Sequence, residues 1–170
     1  LLTLDYPNKE VLSSMAAILM YKNLNNPDTA VIMSELDKAL SNNDTEYFVT
    51  LYNKTLAAIP YDIYDKEERK YEDEKRKRLL SYNLAESFYH SIMFTMLWTA
   101  GVTTLSENHS YRGRSDIEIL HKNNVFIIEL KVAEGAEKSK QAAEEGMAQI
   151  IAKGYCDKYQ NPKLISIAVD

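Results

Sequence analysis

The chain has 170 residues, 45% of them hydrophobic and 26% charged, enough to bury a core in one domain with an appendage. Its net charge of −5 excludes a general attraction to polyanions, so any contact with nucleic acid has to be local. The single cysteine, Cys156, excludes an internal disulfide and a zinc-type cluster, and it suits a reducing compartment, so a cytoplasmic protein is expected. The three histidines are widely spaced and make no metal motif. The longest apolar stretch, Ile92 to Leu105, is interrupted by Thr95, Thr99, Thr103 and Thr104 and falls short of a bilayer span, so no membrane segment is predicted. The chain opens on Leu1 and closes on Asp170 directly after a strand-like run, which reads as a piece of a longer protein.

The first part reads as helical. Residues 8–24 carry Val11, Met15, Ile18 and Leu19 at helical spacing, and residues 27–40 repeat the pattern with Val31, Leu36 and Leu40. A third helix is predicted over 44–59, with Asp44 and Thr45 as caps and Pro60 as its stop. Between Arg69 and Arg78 six basic residues face three acids, a local basic patch that reads as a solvated helix face or as a phosphate contact. From Leu79 to Ser106 one charged residue, Glu86, stands in a mostly buried helix that Gly101 ends, and Glu86 shares a face with His90, Met93 and Leu97.

After Gly101 the period becomes two. Residues 102–107, 114–122 and 125–132 read as an antiparallel meander, with "SYRG" and "NN" as turns. A helix follows over 137–159, placing Ala143, Met147, Ile150 and Ile151 on one stripe, and then a strand over 163–170. The last strand, helix, strand passage permits a parallel crossover. The expected fold class is therefore α/β, a mixed sheet covered by helices.

Within "FIIELKV" (126–132), Glu129 and Lys131 project to one face and Phe126, Ile128, Leu130 and Val132 to the other. Asp116 and Glu118 share a face of the preceding strand, and folding back at the "NN" turn makes Asp116 a neighbour of Glu129, with Lys131 beside them. Two carboxylates that close repel unless a cation lies between them. Oxygen donors without nitrogen or sulfur point to magnesium or manganese. With an adjacent ammonium, this is equipment for cutting a phosphodiester. The competing reading is a cross-strand ion pair on a solvated face, Lys131 with Asp116 or Glu118.

"GRSDIEI", "FIIELKV" and "AQIIAKGYCDKY", together with "DYPNKEV", "IPYDIYD" and "ESFYHSIMF", resemble the PD-(D/E)XK nuclease superfamily, in particular a bacterial branch whose nuclease-like domain follows an AAA-ATPase-like domain. The resemblance implies a restriction-endonuclease-like core over 79–170, behind a helical region and linker over 1–78. It implies that Asp116 and Glu129 ligate Mg2+ or Mn2+, that Glu86 completes the metal shell directly or through water, and that Lys131 positions water or stabilises the pentavalent phosphate. Gln149 and Tyr155 match the family's second-helix motif beside the site. The partner implied is nucleic acid, DNA before RNA. No GxxxxGK[ST] loop is present, so an AAA-ATPase-like part is expected to lie outside this chain. The other outcome weighed is a nuclease-like module that binds or regulates and cuts nothing.

Overall fold

A computed structural model describes residues 29–58, 74–110 and 112–169. The helix expected over 8–24, the motifs near residues 5 and 60, and the basic run up to residue 73 lie outside these. Three helices come first, α1 (Thr29–Ser41), α2 (Thr45–Ala57) and α3 (Glu74–Thr99). Strands β1 (Thr103–Ser110), β2 (Gly113–His121) and β3 (Asn124–Val132) follow, then α4 (Ala136–Ala152) and β4 (Lys163–Val169).

The sheet order is β1-β2-β3-β4, antiparallel between the first three and parallel between β3 and β4. A parallel neighbour cannot be reached by a tight turn, and α4 supplies the crossover. The mixed α/β architecture expected from the alternation of patterns is the one observed. It is consistent with a restriction-endonuclease-like fold.

Each sheet face is covered by different helices. Phe126, Ile128 and Leu130 of β3 join Ile117 and Ile119 of β2 in one core with Leu36, Leu40, Phe48, Tyr52, Met93, Met96 and Leu97 of α1, α2 and α3. Burying each large aliphatic side chain there contributes roughly 1.5–3 kcal/mol. On the other face Ile127 packs with Ile150 and Tyr155, against Met147 and Leu164.

Local chemistry sets several boundaries. Asp44 caps α2 by accepting the Tyr47 N–H at 2.9 Å. α3 ends with the Val102 N–H donating to the Leu97 carbonyl, as Gly101 led one to expect. It begins at Glu74, so it runs through the boundary placed between residues 78 and 79. The β2–β3 turn is Lys122–Asn123, one residue before the expected pair, and Asn124 is already in β3. Its side-chain amide donates to the carbonyls of Leu40 and Ser41, closing the open end of α1.

Three expectations need correction. β1 continues to Ser110 rather than stopping at residue 107. The helix predicted over 137–159 stops at Ala152, because Gly154 takes a left-handed conformation (φ 59) and starts a run of turns. Ile151 and Val31, counted as stripe residues, are 61% and 58% exposed; Ile150 is buried as expected, and Ile32 is buried in place of Val31.

Gly146 lets α4 rest on the sheet. A Cβ there would lie 2.2 Å from Ser166 Oγ and 3.5 Å from Cγ of Glu129. Gly146→Ala should therefore lower the urea midpoint despite alanine's better helix propensity, and adding Ser166→Ala should recover much of the loss. A single variant as stable as the parent would contradict this seating of the helix.

Candidate active site

β2 and β3 pair from His121↔Asn124 to Ile117↔Ile128. Beyond that point Asp116 Oδ2 accepts the Leu130 N–H at 2.8 Å, so a side chain satisfies a backbone donor that the ladder leaves behind. Strict alternation also gives way here. Ser115 Oγ donates to Glu118 Oε1 at 2.7 Å, although the two are three residues apart. Asp116 lines a cleft with Glu86, Ser87, His90 and Ser91 of α3, Glu107 of β1 and Arg114 of β2. His90 Nε2 lies 3.1 Å from the Asp116 carbonyl and 3.2 Å from Ser106 Oγ, tying α3 to both strands at this level.

Glu129 is 1% exposed. Lys131 Nζ donates to its Oε1 at 2.9 Å, and Gln149 Nε2 donates to the same oxygen. Its other oxygen, Oε2, is buried with no hydrogen-bond partner among the described residues, and so is the Oγ of Ser166, the residue paired with Glu129 across β3 and β4. Burial, with the Asp116 charge adding to it, pushes the Glu129 carboxyl up to about 7. Burial also raises Glu86, with Asp116 adding and Lys131 opposing. Lys131 Nζ stands between the two acids, 3.8 Å from Glu86 Oε1. Burial disfavours the Lys131 charge, but Glu129, Glu86 and Asp116 outweigh it and hold the amine above the usual lysine value.

The structure thus gathers Asp116, Glu129, Lys131, Glu86 and Gln149. Tyr155 is 2% exposed, packs with Ile127 and Ile150, and stands in a turn rather than in the helix. Lys131 pairs with Glu129 and Glu86, not with Asp116 or Glu118 as the cross-strand reading required. Among the described residues no three His, Cys, Asp or Glu side chains form a ready metal cage. The donor set nevertheless fits a hard divalent cation in two respects. One buried carboxylate oxygen has no partner among the described residues, and the neighbouring Asp116 charge raises the cost of ionising Glu129, a cost that a cation between the two would offset.

Sequence reasoning undervalued Glu118. It is 1% exposed and accepts from Asn108 Nδ2, Ser115 Oγ, Tyr159 Oη and Lys158 Nζ, which bind β1, β2 and the segment after α4 into one cluster. Burial raises its carboxyl, but these donors outweigh that and leave it below the ordinary glutamate value. The only sequence signal was an acid within the apolar run "DIEIL".

A profile of the PD-(D/E)XK nuclease superfamily matches residues 84–170, half of the chain. The chain belongs to that superfamily. Members typically use divalent metals and interact with nucleic acid, and the matched segment contains α3 from Leu84 onwards, the whole sheet and α4. A protein of Azotobacter chroococcum mcd 1, named "Uncharacterized protein in vnfD 5'region", is 29% identical over 160 residues, which cover 92% of this chain and 27% of that protein. The nuclease-superfamily chain therefore spans about a quarter of that relative's length. No solved structure matches it. Among the described residues no helix is long and apolar enough to cross a membrane.

The Glu129 shift fixes the sign of a pH effect. Unfolded Glu129 titrates near 4.5 and the folded residue near 7, so the folded state binds the extra proton between these values. Stability contributed by this group should be fully present below pH 4.5 and decline as pH rises to about 7, by about 3 kcal/mol at most. Glu129→Gln cannot titrate, so its melting temperature relative to the parent should rise across that window. A constant difference from pH 4.5 to 8 would refute the assignment.

Proposed function

We propose that this chain is the nuclease part of a divalent-metal-dependent enzyme that hydrolyses phosphodiester bonds, in DNA before RNA. The observation that carries the reading is Glu129, a buried carboxylate with one oxygen unpartnered, beside a second acid and an amine. Asp116 and Glu129 would hold the metal, and Glu86, with Lys131 between it and Glu129, would complete its shell directly or through water. Magnesium or manganese bound there would polarise a phosphoryl oxygen and lower the pKa of attacking water.

The protein's own groups do the rest. The Leu130 N–H holds one Asp116 oxygen, which aims the other into the cleft. Gln149 and Lys131 both hold Glu129 Oε1 and leave Oε2 without a partner among the described residues. Lys131 keeps its charge in spite of burial, so its ammonium can orient water and offset the negative charge that grows on the phosphate as the bond breaks. The acidic surface leaves DNA attraction to local groups, which suits delivery of substrate by an AAA-ATPase-like domain elsewhere in the protein. The sequence resemblance alone supports that partner.

The test is cleavage of supercoiled and single-stranded DNA in magnesium or manganese. Asp116→Ala and Glu129→Ala should each lose more than about a hundredfold in rate while keeping the fold. At pH 8 the divalent ion should raise the parent's melting temperature but not that of Glu129→Gln, because a ligand binding only the folded state stabilises it. DNA binding that survives Glu129→Ala, without turnover by a folded parent in any metal, would favour a binding or regulatory module instead.

A further inference from the structure

The cleft beside Asp116 extends past the residues used above, to Glu107 and Arg114. Among the described residues, every side chain that lines it is charged, hydroxyl-bearing or imidazole, and its volume of about 310 Å3 is room for a sugar-phosphate unit. Such a lining suits a polar, charged ligand rather than an apolar one. Arg114 stands two residues before Asp116 and is 57% exposed at its side chain. It carries a planar fork of donors suited to phosphate oxygens. Its Nη1 donates to Glu107 Oε2 at 3.3 Å, and the Glu107 side chain is equally open, at 56%.

Glu107 occupies an unusual place. β1 pairs with β2 at Ser106↔Ile117 and Asn108↔Ser115 in one unbroken register, so Glu107 is the residue across from Asp116, the one position between them that makes no pair. Its φ is 49, a left-handed conformation that costs a residue with a side chain and that breaks the ladder at this level. Its carboxylate meets the Arg114 guanidinium at this unpaired position. A carboxylate holding an arginine beside an open cleft occupies the position a phosphate would take.

We infer that Arg114 is the phosphate-binding group of a nucleic-acid subsite in this cleft, next to the position where the bond is cut, and that Glu107 competes with the backbone phosphate for it. This rests on the nuclease reading and deepens it by naming a substrate contact. Binding exchanges one exposed ion pair for another: the guanidinium leaves Glu107 and takes the phosphate, while Glu107 turns to water. The exchange adds one local cation to the substrate path of a chain whose net charge is −5.

The test is binding of fluorescein-labelled oligonucleotides, one single-stranded and one duplex, in chelator so that nothing is cut, over a series of salt concentrations. Arg114→Ala should weaken binding about tenfold and reduce the salt slope by about 0.7–0.9. Arg114→Lys should keep much of the slope and lose part of the affinity, because the charge stays and the fork goes. Glu107→Gln should tighten binding, and the gain should vanish when Arg114→Ala is added. Cleavage in magnesium is followed in parallel. If the Arg114 effects are found and the parent cuts nothing, the nuclease reading fails and this subsite stands. If Arg114→Ala binds and responds to salt like the parent, or if the parent binds neither oligonucleotide, the subsite is overturned even where cleavage is found.

Discussion

Burying Glu129 is the constraint around which this end of the molecule is arranged. A carboxylate cannot leave water unless its charge is met, and here a lysine from the same strand and a glutamine from the crossover helix meet one oxygen of two. The parallel β3–β4 pair is what makes that burial complete. It requires a helical crossover, and Gly146 lets that helix come close enough for Gln149 to reach β3. The second oxygen stays unmet among the described residues, and the nearby Asp116 charge makes ionising the carboxyl costlier still, a cost that a cation would relieve.

The opposite face of the sheet sets the other half. α3 brings Glu86 and His90 to the end of the sheet where β2 and β3 part company, and His90 ties the Asp116 backbone to the helix. The parting of the strands is itself useful chemistry. It frees the Asp116 carboxylate from the sheet plane while giving it the Leu130 N–H as an anchor. Glu118, two residues along, is the counterexample: four donors satisfy it, its carboxyl is held low, and nothing about it asks for a ligand. Two acids of one strand thus take different parts, one satisfied and one poised, because their surroundings differ.

Membership in the PD-(D/E)XK superfamily, the observed sheet order and the chemistry of the acid-acid-lysine set agree with one another. The family match rests on sequence, the topology on strand pairing, and the electrostatics on burial. The agreement concerns the nuclease-like segment. Arg114 and Glu107 belong to a different layer, the path by which a substrate would approach, and owe their geometry to one left-handed residue in β1.

Periodicity was enough to give the order and type of the described elements from α3 onwards, though not all of their ends. Apolar residues three and four apart marked α3, alternation marked β2 and β3, and the strand, helix, strand order permitted a mixed sheet, because local spacing decides which side of an element meets a core. "FIIELKV" likewise announced that an acid and an amine would stand side by side. The sequence could not say that both faces of that strand are covered, which turns Glu129 from a surface acid into a buried one. Nor could it say that Gly154 would end α4 early and leave Tyr155 in a turn, or that Ser115 would turn to Glu118 while Asp116 faced α3. Those outcomes depend on residues far apart in the chain: α4 over β3, the turn segment against Glu118, α3 against the parted strands. Burial and hydrogen-bond satisfaction are properties of such assembled neighbours, so only the tertiary structure could decide which of the charged residues remain unsatisfied.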